Sequence, residues 1–231
     1  MPFPSIIAID GPVASGKTSV GKRLADKLGY LFFDTGVMYR AVTYLALRQL
    51  GAVQDAAAVA AVAERSPIDI QPSTLTDGRD YTVLGGDPAE DITWAIRAPE
   101  VESNVSPVAV IPEVRRALTD QMRRIGCKGK VVMVGRDIGT VVLPEAELKI
   151  FLTASVEARA LRRFQETQAR GEARSYEAIL NNLRERDQID SSRATAPLRP
   201  AETAITLDTT SLDLSGVVET IEALVAAQGA A

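Results

Sequence analysis

A glycine-rich motif near the start of the sequence constrains the fold more than any other stretch. The apolar residues 6–9 lead through Asp10 into Gly11-Pro-Val-Ala-Ser-Gly-Lys-Thr18, which has the G-x-x-x-x-G-K-[ST] spacing of a phosphate-binding loop. An amphipathic segment follows, with Val20, Leu24 and Leu28 at four-residue spacing, and it predicts a helix. A helix that begins at such a loop directs its positive end and the backbone N–H groups of the loop toward a bound anion.

This phosphate-binding loop, residues 11–18 (the P-loop), predicts a site for a nucleoside triphosphate and Mg²⁺. Lys17 is expected to reach the β- and γ-phosphates, and the hydroxyl of Thr18 to coordinate Mg²⁺. The alternative, a glycine-rich turn that binds nothing, is disfavoured because the strand, the loop and the helix all agree. The residues expected to bind the nucleotide are Gly11, Pro12, Val13, Ala14, Ser15, Gly16, Lys17, Thr18 and Ser19.

Composition narrows the class of protein further. A chain of 231 residues suits one α/β domain with insertions. The formal net charge of -4 argues against a partner such as a nucleic-acid polymer, because proteins that bind one usually carry a basic excess. Only six of the 26 basic residues are lysines. The arginine excess suits a rigid grip on phosphate, although a codon bias would produce the same excess.

Residue types that are rare or missing exclude other chemistry. Cys127 is the single cysteine, so the chain forms no internal disulfide and fits a reducing compartment. The sequence has no histidine, which excludes imidazole catalysis and histidine metal sites. No apolar run approaches about 18 residues, and the N-terminus lacks the positive region of a secretory signal. We therefore expect a cytoplasmic protein that does not associate with membranes.

The order of the predicted elements indicates an α/β fold. Apolar strands alternate with amphipathic helices from the start of the chain, which is typical of a parallel sheet. Residues 68–92 differ, because short alternating runs and the Gly85-Gly86 turn predict small antiparallel strands. Further parallel strands are predicted at residues 30–33, 130–134, 148–152 and 204–207, and two charged helices at residues 155–174 and 176–191.

We therefore predict one domain over residues 1–231 with the α/β fold of the P-loop NTPases. It has a five-stranded parallel sheet and a small antiparallel β insert. Pro99 and Pro107 are expected to break up the chain before a helix at residues 113–125, with Pro112 in the first turn of that helix.

Candidate binding residues follow the strands, because open α/β sheets bind ligands beyond the carboxyl ends of their strands. Arg40 lies shortly after the second strand, and Arg136 and Asp137 directly follow the third. Two arginines on the rim that carries the P-loop favour a second anion site beside the nucleotide. A single such arginine would more often be a solvated loop charge.

The second charged helix, which ends near Ser192, places Arg186, Asp190 and Arg193 at positions i, i+4 and i+7, along one stripe. They could form an exposed Arg–Asp pair worth about 0.3–0.5 kcal/mol. Alternatively, both arginines face a transferring phosphate while Asp190 holds a sugar hydroxyl. The spacing alone does not decide between the two interpretations.

The sequence resembles the bacterial-type cytidylate kinases, a family of nucleoside monophosphate kinases, along nearly the whole chain. The resemblance is carried by residues 9–18, 34–40, 96–97, 106, 112–115, 135–142, 186–193 and 196–198. It implies ATP-dependent phosphorylation of CMP and dCMP to CDP and dCDP in pyrimidine nucleotide metabolism, by a monomer. The implied fold is a three-layer α/β sandwich of the P-loop NTPase type with a helical lid. Residues 38–105 would then form the monophosphate-binding region and residues 156–190 the lid. The chain departs from the family pattern at Thr35, where serine is usual, and at Gln121, one place before the expected glutamine.

The resemblance also implies roles for individual residues. Lys17, Arg136, Asp137 and Arg193 would be catalytic. Cytosine offers an N4 amino donor, which suits a carboxylate or a hydroxyl, and the acceptors N3 and O2, which suit a guanidinium. The acceptor phosphate would be held by Thr35, Tyr39, Arg40, Arg136 and Arg193, the cytosine by Ser106, Arg115 and Asp137, and the ribose by Arg186 and Asp190.

Two other functions remain open on the sequence. The first is a kinase for a different small acceptor, namely UMP, AMP or shikimate. The second is a P-loop NTPase switch, or a nucleotide-binding protein, that has no acceptor at all. The second predicts slow ATP hydrolysis that no monophosphate changes.

Overall fold

A computed structural model describes residues 3–193 and 195–230. No helix in this described part of the chain is long and apolar enough to cross a membrane. The strands are β1 (Ile6–Asp10), β2 (Leu31–Asp34), β3 (Ile68–Pro72), β4 (Tyr81–Gly85), β5 (Glu90–Asp91), β6 (Val131–Gly135), β7 (Leu148–Thr153) and β8 (Ile205–Asp208). The α-helices are α1 (Lys17–Leu28), α2 (Gly36–Leu50), α3 (Ala56–Arg65), α4 (Pro99–Ala109), α5 (Pro112–Gly126), α6 (Val156–Ala169), α7 (Tyr176–Ser192) and α8 (Leu214–Ala230).

The larger sheet confirms the predicted five strands, in the order β2-β6-β1-β7-β8. β7 runs parallel to both β1 and β8, with Ile150 opposite Ile9 on one side and Ile205 on the other. β1 and β6 are almost entirely buried, whereas β8 at the edge is largely exposed. β1 and β6 are nearly continuous apolar runs, as expected for a parallel sheet covered on both faces, whereas β7 alternates buried and half-buried residues.

A small antiparallel sheet confirms the predicted insert. It has the order β3-β4-β5, with Ile70 opposite Val83 in the β3–β4 pair. Ile68, Ile70, Tyr81 and Val83 are buried and alternate with more exposed residues. This period-two pattern places one face of the sheet in the core and leaves the other face more exposed to solvent.

The chain divides into two compact units. The first unit comprises the chain up to Tyr30 and from Val132 onward, and the second comprises Leu31–Val131. In the first unit α1 packs against α8, with Lys27 paired to Glu222 at 2.5 Å. In the second unit α2 packs against α3 and α4, and α5 packs against α3 and β3.

One prediction about the segment before α5 is wrong. Pro99 and Pro107 do not break it up, because residues 99–109 form the continuous helix α4. Pro99 occupies the first turn, where its missing N–H group would have no partner in any case. Pro107 lies in the last turn, so the helix loses one backbone hydrogen bond close to the point at which it ends.

The two predicted lid helices are present as α6 and α7, but the first is shorter than expected. It ends at Ala169, not near Arg174, and Gly171 follows in the left-handed conformation with φ 72°. Ser155 and Ser175 accept hydrogen bonds from the backbone N–H groups of Ala158 and Ala178, and so cap the two helices.

Gln121 has a structural role within the second unit. Its side-chain oxygen accepts a 2.8 Å hydrogen bond from the backbone N–H of Ile68. Its amide nitrogen donates to the carbonyl oxygens of Ala63 and Ser66 at 3.2 and 3.3 Å. The side chain thus satisfies backbone groups where α3 passes into β3, which accounts for a glutamine at this position.

We expect Gln121→Leu to lower the free energy of unfolding by about 1–3 kcal/mol, because the N–H group of buried Ile68 loses its acceptor. Urea denaturation would measure the difference. Arg116→Leu is the matched control, since Arg116 is exposed on the same helix. Equal losses in the two variants would contradict the structural role of Gln121.

Candidate active site

The P-loop connects the end of β1 to the start of α1 in the first unit. Ala14 and Gly16 adopt left-handed conformations with φ 59° and 94°, and Gly16 caps α1. Gly11 has φ 148°, and a Cβ atom there would lie 2.0 Å from the carbonyl oxygen of Leu152 in β7. Only glycine fits this close approach. The loop therefore has the shape in which successive N–H groups form a concave anion site.

Lys17 lies over the P-loop instead of extending into solvent. Its side chain is buried, and Nζ donates to the carbonyl oxygen of Pro12 at 2.5 Å and to Ser15 Oγ at 3.4 Å. Thr18 and Ser19 are exposed in the first turn of α1. A buried ammonium group beside the P-loop and the N-terminus of α1 provides positive charge that suits the phosphates of a nucleotide.

Asp10 fastens the end of β1 to the turn that follows β6. It is 4% exposed, and its two carboxylate oxygens accept hydrogen bonds of 2.8 Å from the N–H groups of Ile138 and Gly139. These residues begin a π-helical turn directly after Asp137. Burial raises the pKa of Asp10 to about 6, although the two N–H groups act in the opposite direction.

Asp190 brings two of the predicted phosphate-binding arginines together. It is buried in the last turn of α7, and Oδ2 accepts a 2.5 Å hydrogen bond from Arg136 Nε. Its other oxygen, Oδ1, accepts a hydrogen bond from Arg193 Nη2, just beyond the helix. The interpretation as an exposed Arg–Asp pair is therefore wrong, because Asp190 is buried between two guanidinium groups. Arg186 is exposed on the same helix.

Other arginines of α6 contact protein groups. Arg162 on α6 donates to the hydroxyl of Thr209 at 3.1 Å and to the carbonyl oxygen of Leu212 at 3.3 Å. Arg163 on the same helix pairs with Glu166 at 3.0 Å. Part of the arginine excess in this segment thus contributes to the fold.

The second unit holds the remaining predicted site residues. The guanidinium of Arg115 is buried and lies 5.5 Å from the centre of the Tyr39 ring, a cation–π contact. Arg40 pairs with Glu102 at 2.5 Å. Thr35 is buried at the start of α2, whereas Ser106 is exposed on α4. Convergence of Ser106 and Arg115 with Asp137 of the first unit stays a prediction.

Comparison with known proteins identifies the family. The family model described as cytidylate kinase matches residues 7–227. The chain belongs to the cytidylate kinase family. A cytidylate kinase of Herpetosiphon aurantiacus is 56% identical over 192 residues, which cover 83% of each chain. A cytidylate kinase of an Exiguobacterium species is 49% identical over 219 residues, which cover 95% of each chain.

A solved structure supports the fold of this cytidylate kinase family member. A gluconokinase from Sinorhizobium meliloti 1021 superposes with a TM-score of 0.50 at 16% identity, covering 98% of this chain and 94% of the other. At that identity the likeness concerns the fold alone. With the five-stranded sheet and the P-loop, it confirms the predicted P-loop NTPase fold.

Sequence reasoning missed three charged residues that shape the site of this family member. The sequence pattern places Asp10 between the first strand and the P-loop and Arg159 and Asp187 in two charged helices, and it indicates no individual role for any of the three. One sequence signal could have indicated a role for Asp10, because an acidic residue stands there between a buried apolar strand and a phosphate-binding loop. Arg159 and Asp187 are 28 positions apart, so no local pattern indicates their pairing.

We expect the raised pKa of Asp10 to make stability depend on pH. The carboxyl group of Asp10 binds its proton more tightly in the folded protein than in the unfolded chain. The contribution of this protonation to the free energy of unfolding is therefore largest below pH 4 and is lost as the pH rises through 6. A shift from 3.8 to about 6 corresponds to roughly 3 kcal/mol at most. Urea denaturation of the wild type and of Asp10→Asn at several pH values between 4 and 7.5 would measure how the difference between their free energies of unfolding changes with pH.

The matched control for this measurement is Asp120→Asn, because Asp120 is an exposed carboxylate. We expect the difference between the wild type and this control to stay nearly constant over the same pH range. A constant difference for Asp10→Asn as well would contradict the assigned effect of burial.

Proposed function

We propose that this member of the cytidylate kinase family transfers the γ-phosphate of ATP to CMP and dCMP, producing CDP and dCDP for pyrimidine nucleotide metabolism. The observation that carries the proposal is the match of the cytidylate kinase family model to residues 7–227. The names of the relatives that match most of the chain agree with it. The geometry of the P-loop supports the donor half of the reaction.

On the donor side, the P-loop and Ser19 are proposed to hold the phosphates of ATP. The ammonium group of Lys17 lies beside the loop carbonyl of Pro12, and we assign to it the β- and γ-phosphates. The hydroxyl of Thr18 is the proposed protein ligand of Mg²⁺. When bound there, Mg²⁺ neutralises charge on the phosphate oxygens.

On the acceptor side, we assign the phosphate of CMP to Thr35, Tyr39, Arg40, Arg136 and Arg193. The ribose is assigned to Arg186 and Asp190, and the base to Ser106, Arg115 and Asp137. Cytosine presents an N4 amino donor to a carboxylate, whereas uracil would present a carbonyl oxygen. Uracil would place this carbonyl oxygen against the carboxylate of Asp137, a mismatch that can lower kcat/KM by orders of magnitude.

The chemistry of phosphoryl transfer requires positioning and positive charge more than acid–base groups. The transition state is loose, with charge spread over the equatorial oxygens of the transferred group. We assign the positive charge to the side chains of Lys17, Arg136 and Arg193. Asp190 accepts hydrogen bonds from both arginines and so holds them next to each other. The acceptor phosphate has its second pKa near about 6, so it is largely ionised at neutral pH and needs no strong base. We assign exclusion of water to closure of residues 156–190.

The same proposal covers the setting in which the protein works. We infer that it acts in the cytoplasm as a monomer on small molecules. The single cysteine and the net charge of -4 support a reducing compartment and argue against a nucleic-acid polymer as partner.

A panel of acceptors tests the proposal directly. ADP release is measured with CMP, dCMP, UMP, AMP and shikimate at fixed MgATP. We expect kcat/KM for CMP or dCMP to exceed that of every other acceptor by at least tenfold. Preference for UMP, AMP or shikimate would replace the substrate. Slow ADP release that no acceptor changes would favour an NTPase switch instead.

We expect Arg193→Gln to lower kcat by about 10³-fold or more, because an arginine that stabilises the transferring phosphoryl group is worth that much. The KM for ATP should change far less. Steady-state kinetics with CMP would measure both. The control is Arg184→Gln, since Arg184 lies on α7 with an exposed side chain paired to Glu157. Unchanged turnover in Arg193→Gln would refute the assignment.

A further inference from the structure

Arg159 on α6 is a buried arginine whose hydrogen bonds join three parts of the first unit. It is 4% exposed. Nε donates to the carbonyl oxygen of Ala154 and Nη1 to that of Val13, each at 3.0 Å. Nη1 and Nη2 also form a bidentate pair with Asp187 on α7, at 3.1 and 2.5 Å. Four of the five N–H groups of a guanidinium are therefore engaged, so Arg159 is not placed as a phosphate ligand.

The bond to Val13 fixes the direction of a peptide group in the P-loop. A trans peptide is planar, and its C=O and N–H groups point in opposite directions. Because Arg159 holds the carbonyl oxygen of Val13, the N–H group of Ala14 points away from Arg159. An N–H group with a fixed direction is what a phosphate-binding loop needs.

The conformation that this bond supports is unfavourable by itself. Ala14 has φ 59°, a left-handed conformation that costs an L-residue other than glycine free energy. Such a residue persists only where its surroundings hold it in place. Here Val13 and Ala14 also pack against a buried apolar cluster of Ala160, Ile179 and Leu183 from α6 and α7.

Asp187 completes the arrangement from the second lid helix. Its side chain is 27% exposed, so the pair lies at the border of the buried region. A buried guanidinium without a carboxylate partner would carry a large desolvation cost. Asp187 therefore holds Arg159 in the orientation that reaches Val13.

We propose that Arg159 is a positioning residue for ATP, which fixes the Val13–Ala14 peptide of the P-loop, and that Asp187 holds its guanidinium in place. This proposal rests on the proposed function, because it takes ATP as the ligand of the P-loop. It adds the residues that set the loop conformation from outside the motif.

The test measures binding of each nucleotide alone. Calorimetric titration with Mg²⁺ and a non-hydrolysable ATP analogue gives one dissociation constant, and titration with CMP gives the other. Arg159→Lys keeps a positive charge but cannot make the forked contact with Asp187 and Val13 together. We expect it to weaken binding of the ATP analogue about tenfold or more, the range for a lost hydrogen bond to a charged group. CMP binding should change less than twofold.

Two further variants make the outcome decisive. Asp187→Asn should weaken binding of the ATP analogue in the same direction by a smaller factor, and it serves if Arg159→Lys does not fold. The double variant should bind little worse than Arg159→Lys alone, because the two residues act as one unit. The control is Arg163→Lys, one turn along α6 and paired only locally to Glu166.

The outcomes separate this proposal from the proposed function. No binding of the ATP analogue by the wild type would overturn the proposed function and this inference with it. Normal binding of the analogue by both Arg159→Lys and Asp187→Asn, with the wild type also binding, would overturn the inference alone. Equal weakening for ATP analogue and CMP, with a lower melting temperature, would show general destabilisation and would also overturn it.

Discussion

The C-terminal end of β1 is the point on which the first unit depends. Asp10 and Gly11 are adjacent there, and each contacts the region of a neighbouring strand. Asp10 accepts two backbone N–H groups from the turn after β6, and Gly11 passes against the carbonyl oxygen of Leu152 in β7. The P-loop begins at the second of these residues. Its position is therefore set by buried backbone contacts before any ligand is bound.

Two aspartates of α7 pair with arginines of the first unit. Asp190 holds Arg136 and Arg193, and Asp187 holds Arg159. In each case the carboxylate or the guanidinium is buried, so the partner removes a desolvation cost that either charge alone would carry. These contacts also restrict the rotamers of three arginine side chains. The arginine excess thus combines proposed ligand groups with groups that hold the loop and helices together.

Much of the fold was predictable because it depends on local patterns. Apolar strands, an amphipathic helix after a P-loop, and glycine turns each act within a few residues, and the five strands of the large sheet were predicted with ends within one residue. Errors arose where tertiary packing overrides local preference. Pro107 was expected to break the chain, yet it is tolerated near the end of α4. Gln121 fits no local pattern, because its partners lie in α3 and at the start of β3.

Sequence patterns alone predict the P-loop, the order of strands and helices, the family, and the residue types available to bind phosphate. These follow from spacing along the chain, since a motif and a period need no knowledge of distant residues. Which charges meet depends on the tertiary structure. Asp10 contacts a turn 128 residues later, and Arg136 pairs with a carboxylate 54 residues away. Such pairs depend on how the elements pack, and burial then gives them energies that exposed charges of the same kind do not have.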